Sequence, residues 1–499
     1  MNVQARYVAI IAVLAVLIGA AGSYVGIQYF GTATSEESNQ TANATKDTEN
    51  FGDLSKDDQQ SFIEGLAGDT DLEKVEQAYS VIQENSLTEA DNSQLVQGAI
   101  EGMLDTLEDP YSVYMDKETM KQFDESIGSS FQGIGAEVSM VNDKVTIVAP
   151  IKGSPAEEAG LKPNDQIIEV DGESVEGLDL YDAVLKIRGD KGSKVTLTVE
   201  RPGASEPLEV ELIRDEIPIE TVYTDIKTID GKKAGVIEIT SFSEKTSKEF
   251  EKALQEVESE NIEGLVIDVR GNPGGLFTDV QEILEQFITD EQPYVVVEDS
   301  EGEKSRYFSD IKEKKDYPIT VLQDEGSASA SEILSAAMNE AGGYDVVGTK
   351  SFGKGTVQQT IPMGDGSTIK LTLYKWLTPE GNWIHEEGVE PTVKVEQPEY
   401  FYTNPIEIEE TLKLDDNNEQ VKNVQQMLKG LGYEPGRTDG YFNKKTKTAV
   451  ASFQSDHSLN ETGEIDKDTG ERIQELIVEE ARDEDNDRQM DKALEVLFE

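Results

Sequence analysis

The chain of 499 residues carries 101 acidic against 44 basic side chains, a net charge of −57, with no cysteine and only two histidines, His385 and His457. So negative a chain repels phosphate backbones, which excludes nucleic acid as a partner. The missing cysteines exclude a thiol nucleophile, disulfides and thiolate metal sites, and the scarce histidines leave little for a His-dependent hydrolase or a His metal centre. No metal or other cofactor is expected, and proton transfer falls to Lys, Glu, Asp or Tyr. The length exceeds what one core organises, so several domains are expected. The acidic residues are spread along the chain, which reads as a solvated surface adapted to salt rather than a face for a cationic partner.

Arg6 precedes an uncharged apolar run from Tyr7 to Phe30, long enough to cross a bilayer as a helix. Its positive flank predicts a single-pass transmembrane anchor over residues 1–31 with the remainder extracytoplasmic. The alternative is a signal peptide cleaved near Gly19 to Gly22, which would release the chain. Residues 32–52 are Ser/Thr/Asn/Glu-rich and read as a linker. Residues 53–128 turn helical, with apolar residues at three- and four-residue spacing in VEQAYSVIQENS and SQLVQGAIEGMLDTLED, and Asp91 or Ser93 as a helix start. Over 129–204 the texture changes to short strands and glycine turns. AEVSMVNDKVTIVAP predicts a hairpin about Asn142-Asp143, SPAEEAG a short helix, DQIIEVDGESV two strands about Asp171-Gly172, LDLYDAVLKIRG an amphipathic helix and KVTLTVERPG a closing strand. Across 205–400, AGVIEI, GLVIDV, YVVVE and ITVL alternate with helical stretches, an α/β pattern around a largely buried sheet. Residues 401–480 are helical again, and 481–499 form an acidic tail, helical or loose.

Chemistry concentrates in two segments. GSASASEILSAAMNEA, Gly326 to Ala341, follows the strand ITVL and opens a helix, so a serine at its start sits among unpaired N–H groups suited to an oxyanion. Alone this is weak, because serines cap helices everywhere. Downstream, GTKSFGKGTVQ sets Lys354 between Gly353 and Gly355. Gly348, Gly353 and Lys354 fit the start of a phosphate-binding loop, but Gly355 stands where that motif needs Ser or Thr for magnesium.

These segments, with IDVRGNPGG (Ile267 to Gly275) before them, resemble the carboxy-terminal processing protease family, a Ser-Lys peptidase group. The resemblance implies Ser329 as nucleophile, Lys354 as general base, Gln358 as the residue positioning that lysine, and the backbone N–H groups of Gly275 and Ala330 as oxyanion donors. A lysine serves as base near neutral pH only if burial lowers its pKa. The 129–204 segment resembles a circularly permuted PDZ domain. Phe131, Gln132, Gly133, Ile134 and Gly135 match its carboxylate-binding loop, and Arg188 matches a helix arginine that links peptide binding to an active protease. Val421, Val424, Gln425 and Leu428, followed by Asp439-Gly440-Tyr441-Phe442, resemble a peptidoglycan-binding module.

The expected fold is therefore multidomain α+β: transmembrane anchor, helical arm, PDZ domain, α/β protease core and C-terminal helical module. The expected activity is serine endoproteolysis near the accessible C-termini of extracytoplasmic proteins. Peptidoglycan is a possible further partner, and the family resemblance implies a homodimer. A PDZ and wall-binding scaffold without proteolysis, or a cell-wall hydrolase, are the alternatives.

Overall fold

The computed structural model describes residues 72–499, apart from 89, 142–143, 203–205, 407 and 409. The expected anchor, the linker, the first part of the helical segment and the turn at Asn142-Asp143 lie outside the described residues. Among the described residues no helix is long and apolar enough to cross a membrane.

The described chain opens as an arm of two helices, α1 (Glu73–Asn85) and α2 (Asn92–Asp105). Asp91 caps α2, its carboxylate accepting from the N–H groups of Ser93 and Gln94 and satisfying donors the first turn leaves orphaned. The arm continues through a short strand β1 (Val113–Met115) and a helix α3 (Lys117–Ile127) capped by Asp116.

Next come β2 (Ser130–Gly133), β3 (Ala136–Val141), β4 (Lys144–Pro150), α4 (Pro155–Glu158), β5 (Gln166–Val170), β6 (Glu173–Ser174), α5 (Leu180–Ile187), β7 (Lys194–Glu200), β8 (Leu208–Ile213) and β9 (Asp215–Pro218). The main sheet runs β3-β4-β5-β7-β8, with β3 at its edge and β6 on β5. Ile147, Ile167, Leu197 and Ala183 fill its core. KVTLTVERPG is not the closing strand. LEVELI adds one more, β8, paired with β7 from Val199↔Leu208 to Lys194↔Ile213. Its Leu/Glu alternation is that of a strand buried on one face. The chain then returns as β9 along β2, so the expected carboxylate loop is braced by the segment leading into the next unit.

That unit contains β10 (Val222–Ile229), β11 (Lys232–Ile239), α6 (Thr246–Ser259), β12 (Gly264–Asp268), α7 (Phe277–Leu284), β13 (Val295–Glu298), β14 (Lys304–Tyr307), β15 (Ile319–Gln323), α8 (Ala330–Glu340), β16 (Asp345–Gly348), β17 (Thr356–Pro362), β18 (Thr368–Leu377) and β19 (Val393–Lys394). Its central sheet is ordered β10-β11-β12-β15-β16-β19 and is parallel from β11 onward. Residues of α6, α7 and α8 cover one face around Phe250, Leu284, Leu334 and Met338. YVVVE leaves this sheet. As β13 it pairs antiparallel with β14 and β18, in a second sheet that also holds β17 and the arm strand β1.

Three helices, α9 (Glu419–Gly430), α10 (Lys444–Asp456) and α11 (Lys467–Arg482), surround Val424, Leu428, Phe442, Phe453 and Ile473. The segment expected as an acidic tail is instead structural. Its helix α12 (Arg488–Phe498) lays Ala493, Leu494 and Leu497 on Val236, Val266, Leu322 and Val347, closing the second face of the central sheet. Each leucine so buried contributes about 1.5–3 kcal/mol. At the start of α12, Asp487 meets the partly buried Arg270 (Nη1–Oδ1 2.8 Å, Nη2–Oδ2 2.9 Å), which also holds Asp268 at 2.7 Å. The C-terminal helix is thus keyed to the strand end that leads into RGNPGG.

Candidate active site

Ser329 stands in the turn between β15 and α8. Its φ of 54° with ψ of −112° is a backbone state that non-glycine residues rarely adopt, a strain of order 1–3 kcal/mol that the surroundings must hold. They hold it from several directions. Asp324 Oδ1 accepts from the N–H groups of Gly326 (2.9 Å) and Gly271 (2.8 Å). Ser327 Oγ donates to the Val269 carbonyl at 2.8 Å. The Asn272 carbonyl accepts from Ala328 N–H at 3.0 Å and Ser331 Oγ at 2.9 Å. The nucleophile turn and the RGNPGG loop are therefore one hydrogen-bonded body.

That loop needs its glycines for space. A Cβ on Gly274 would lie 2.8 Å from Ser329 Cβ and 3.0 Å from Ala330 N, and one on Gly275 would lie 1.9 Å from the Phe242 carbonyl oxygen. Their φ values of 100° and 146° also favour glycine. Among the described residues no acceptor takes the N–H of Gly275 or of Ala330, the first residue of α8. Two unpaired donors thus flank Ser329, as an oxyanion site requires.

Lys354 lies on the loop between β16 and β17. Its N–H donates to Glu332 Oε2 at 2.8 Å, and its carbonyl accepts from Trp376 Nε1 at 2.9 Å. Burial pulls its pKa down to about 8, assisted by the charge of Lys370 and opposed by Asp109 and Glu332. The amine sits under the Tyr111 ring, 4.6 Å from its centroid.

Glu332 joins the two halves of the site. It is fully buried on α8, and its Oε2 accepts both Ser329 N–H and Lys354 N–H at 2.8 Å, so those nitrogens lie within twice that distance of each other. Its Oε1 accepts from Ser351 Oγ and Gly353 N–H, both at 2.6 Å. The structure thus brings Ser329, Lys354, Gly275 and Ala330 to one place. Among the described residues no hydrogen bond joins Ser329 Oγ to Lys354 Nζ. Gln358 stands on β17 at a bulge and gives its amide to Thr356 Oγ1 (2.9 Å) and Thr372 Oγ1 (3.0 Å) rather than to Lys354. His385 stacks on Trp383 at 5.1 Å, and its Nδ1 takes only a long 3.4 Å bond from Gly355 N–H, a structural place.

The other expected site residues form a separate cluster. The Arg188 guanidinium lies 5.1 Å over the Phe131 ring and pairs with Glu125 of α3 at 3.3 Å. Gln132 Oε1 accepts from Lys191 N–H at 2.9 Å. The carbonyls of Ile134 and Gly135 accept from Ala156 and Ile151 N–H groups, both at 2.8 Å. At Gly135, where φ is 73°, a Cβ would meet Ser154 Cβ at 2.3 Å, so only glycine lets the loop approach α4. β3 follows this loop with its outer edge unpaired in the sheet, the geometry for adding a peptide strand.

Sequence reading missed Glu332 and Tyr111 as site residues. Glu332 carried a signal: S-x-x-E at a helix start is a capping box, and here its carboxylate does take the Ser329 N–H. Tyr111 carried none, being remote in sequence from every motif of the site.

Comparison with known proteins matches peptidase family S41 over residues 233–395, a PDZ domain over 146–201, a putative peptidoglycan binding domain over 417–473, and the activating protease CtpB N-terminal domain over 16–119. The chain is similar to carboxy-terminal processing protease CtpB of Bacillus subtilis, 51% identical over 493 residues and 99% of each chain. It is similar to CtpA of the same organism, 42% identical over 86% of this chain and 91% of the other. Among solved structures it resembles the photosystem II D1 C-terminal processing protease, 28% identical over 66% of this chain and 87% of that one, with a TM-score of 0.41.

Proposed function

The chain belongs to the carboxy-terminal processing proteases of peptidase family S41, and within that family we propose that Ser329 is its nucleophile, Lys354 the general base and Gly275 and Ala330 the oxyanion donors. It is a serine-type processing peptidase with a PDZ domain. A scaffold without proteolysis, the alternative raised by its modules, is set aside because relatives matched over 99% and 91% of their own length are named proteases.

The observation that carries the assignment is the Glu332 oxygen shared by the Ser329 and Lys354 backbones. In the reading it supports, neutral Lys354 takes the Ser329 Oγ proton as Oγ attacks the substrate carbonyl. The oxyanion forms against the N–H groups of Gly275 and Ala330. Collapse breaks the C–N bond, and the Lys354 ammonium returns the proton to the leaving amine. Water then repeats the sequence on the acyl-enzyme. Gln358, whose amide is given to Thr356 and Thr372, turns to the Lys354 amine when it positions the lysine. Substrates are proteins whose free C-termini occupy the Phe131–Gly135 loop and the edge of β3, with Arg188 linking that event to the protease.

Residues 1–31 anchor the chain with its catalytic part outside the cytoplasm, the C-terminal module binds peptidoglycan, and the arm pairs two copies. Alkaline extraction of membranes, co-sedimentation with isolated cell wall and analytical ultracentrifugation test these three in turn. The assignment itself is tested by cleavage of an unstructured protein with an apolar C-terminus, using wild type, Ser329→Ala and Lys354→Ala. Loss of cleavage in both folded variants is the expected result; a Lys354→Ala enzyme that still cleaves overturns the role of the lysine.

A further inference from the structure

The S41 match begins at residue 233, yet the side chain over the Lys354 amine comes from the arm, more than a hundred residues earlier. The segment Asp109-Pro110-Tyr111-Ser112 is tied internally and to the protease sheet. Asp109 accepts from Tyr111 N–H at 3.1 Å and from Ser112 Oγ at 2.5 Å. The buried Ser112 Oγ accepts from Thr372 N–H at 3.0 Å, and Thr372 Oγ1 accepts from the Gln358 amide at 3.0 Å. β1 then adds to β18 in register Val113↔Lys370 to Met115↔Thr368. The Tyr111 ring is held between Lys354 and the edge of His385, whose ring centroid is 6.3 Å away.

We propose that Tyr111 is the positioning residue of the catalytic lysine, its ring shielding the Lys354 amine from water, and that the protease site is complete only with the arm docked on β18. A base that cycles between amine and ammonium needs two things from its surroundings. Exclusion of water enlarges the neutral fraction near neutral pH, and this outweighs the opposite pull of the ring's negative face, which steadies the ammonium formed when Ser329 loses its proton. Tyr111 supplies both, and neither needs its hydroxyl. The same docking sets Thr372 and thereby the starting place of Gln358.

The charged groups around the amine are Lys370 from β18, which favours the neutral form, and Asp109 from the arm and Glu332 from α8, which favour the ammonium. Glu386, like Asp109 and Glu332, acts on the Tyr111 hydroxyl. None is altered by a substitution at Tyr111, so a change in the lysine's titration reports the ring.

The inference rests on Lys354 being the base, and the experiment separates the two. The full chain is assayed for peptide cleavage and for Ser329 acylation by a fluorophosphonate between pH 6 and 10.5 (about the span over which a buried lysine titrates), as wild type, Lys354→Ala, Tyr111→Phe and Tyr111→Ala. Tyr111→Ala is expected to move the acid limb of both rates upward by about one pH unit or more, so the neutral fraction at pH 7 falls about tenfold and the deficit closes toward pH 10. Tyr111→Phe restores the wild-type limb. If Tyr111→Ala does not fold, Tyr111→Gln, which brings a polar group to the amine, is expected to move the limb the same way. An unmoved limb, a loss equal at every pH, or a Phe variant that behaves as Ala overturns the proposal. An inert Lys354→Ala beside an unmoved Tyr111→Ala limb fails the ring alone, whereas an active Lys354→Ala fails the base reading as well.

Discussion

Replacing Glu332 with Gln removes an acceptor from a buried group that uses every one it has. Its two oxygens take four donors, Ser329 N–H and Lys354 N–H on one, Ser351 Oγ and Gly353 N–H on the other. With the new amide NH₂ toward Ser329 and Lys354, two donors face a donor. Turned over, it faces Gly353 N–H and Ser351, whose hydroxyl rotates to accept. The second placement is cheaper, yet it strands one buried N–H, at about 1–3 kcal/mol, and turns the remaining charge-assisted bonds into neutral ones about half as strong. A total of about 3 kcal/mol falls on the relative placement of Ser329 and Lys354, and at about 1.4 kcal/mol per tenfold that is roughly a hundredfold loss in kcat/KM. Cleavage of an unstructured protein and fluorophosphonate acylation both read this, with circular dichroism to establish the fold. A folded Glu332→Gln enzyme within about threefold of wild type, less than 1 kcal/mol, would refute the argument.

Two further substitutions follow. Lys354 has a folded pKa of about 8 against an ordinary value of 10.5, so its burial costs about 3 kcal/mol at neutral pH. Below pH 8 both states carry the proton and the folded ammonium bears the full penalty; between pH 8 and 10.5 the fold sheds its proton while the unfolded chain keeps its own, and the penalty fades away. Lys354→Met should therefore stabilise the fold at pH 7 by up to about 3 kcal/mol, fading toward pH 10, in urea unfolding followed by tryptophan fluorescence. The chain's two tryptophans, Trp376 and Trp383, both stand beside the lysine loop, so the signal reports this unit. A variant no more stable than wild type at pH 7 counts against a desolvated Lys354 amine with a lowered pKa. At the other end of the molecule, burial works against the Asp487 carboxylate, yet Arg270 holds its pKa below the ordinary value. Asp487→Ala leaves Arg270 with Asp268 and the Gln489 amide oxygen and uncaps α12 at Met490 N–H, a loss of about 1–3 kcal/mol, between that of an exposed pair and that of a fully buried one. Hydrogen exchange of the α12 amides should then accelerate and cleavage fall, since Arg270 leads into RGNPGG; unchanged exchange would show that the pair does not hold the helix.

Much of this protein was legible locally. Small residues at GSASASE and glycines flanking Lys354 are properties of adjacent residues, each weak alone, and it is their resemblance to the processing-protease motifs that implies a serine nucleophile and a lysine base before any fold is known. The helix start at Asp91 and the turn at Asp171-Gly172 were equally local, because a cap or a turn is made within a few residues. Periodicity separated helical from strand regions for the same reason. It did not assign strands to sheets. YVVVE and GLVIDV have the same apolar texture, and only competition for neighbours puts one in each sheet.

The amino-acid order by itself carried the motifs on which the family resemblance rests, and through that resemblance the proposed reacting residues, along with most of the helices and strands, since motifs, caps and turns are written in short-range spacing. Tertiary structure alone decided how those residues are held. Glu332 was visible as a helix cap but not as the bridge to the Lys354 loop, Tyr111 reaches the lysine from the arm, and an acidic C-terminal stretch became the second cover of the central sheet. Each of these pairs residues far apart along the chain. Their meeting depends on which buried faces, charges and unpaired donors remain to be satisfied once the local elements have formed, a condition no window of sequence contains.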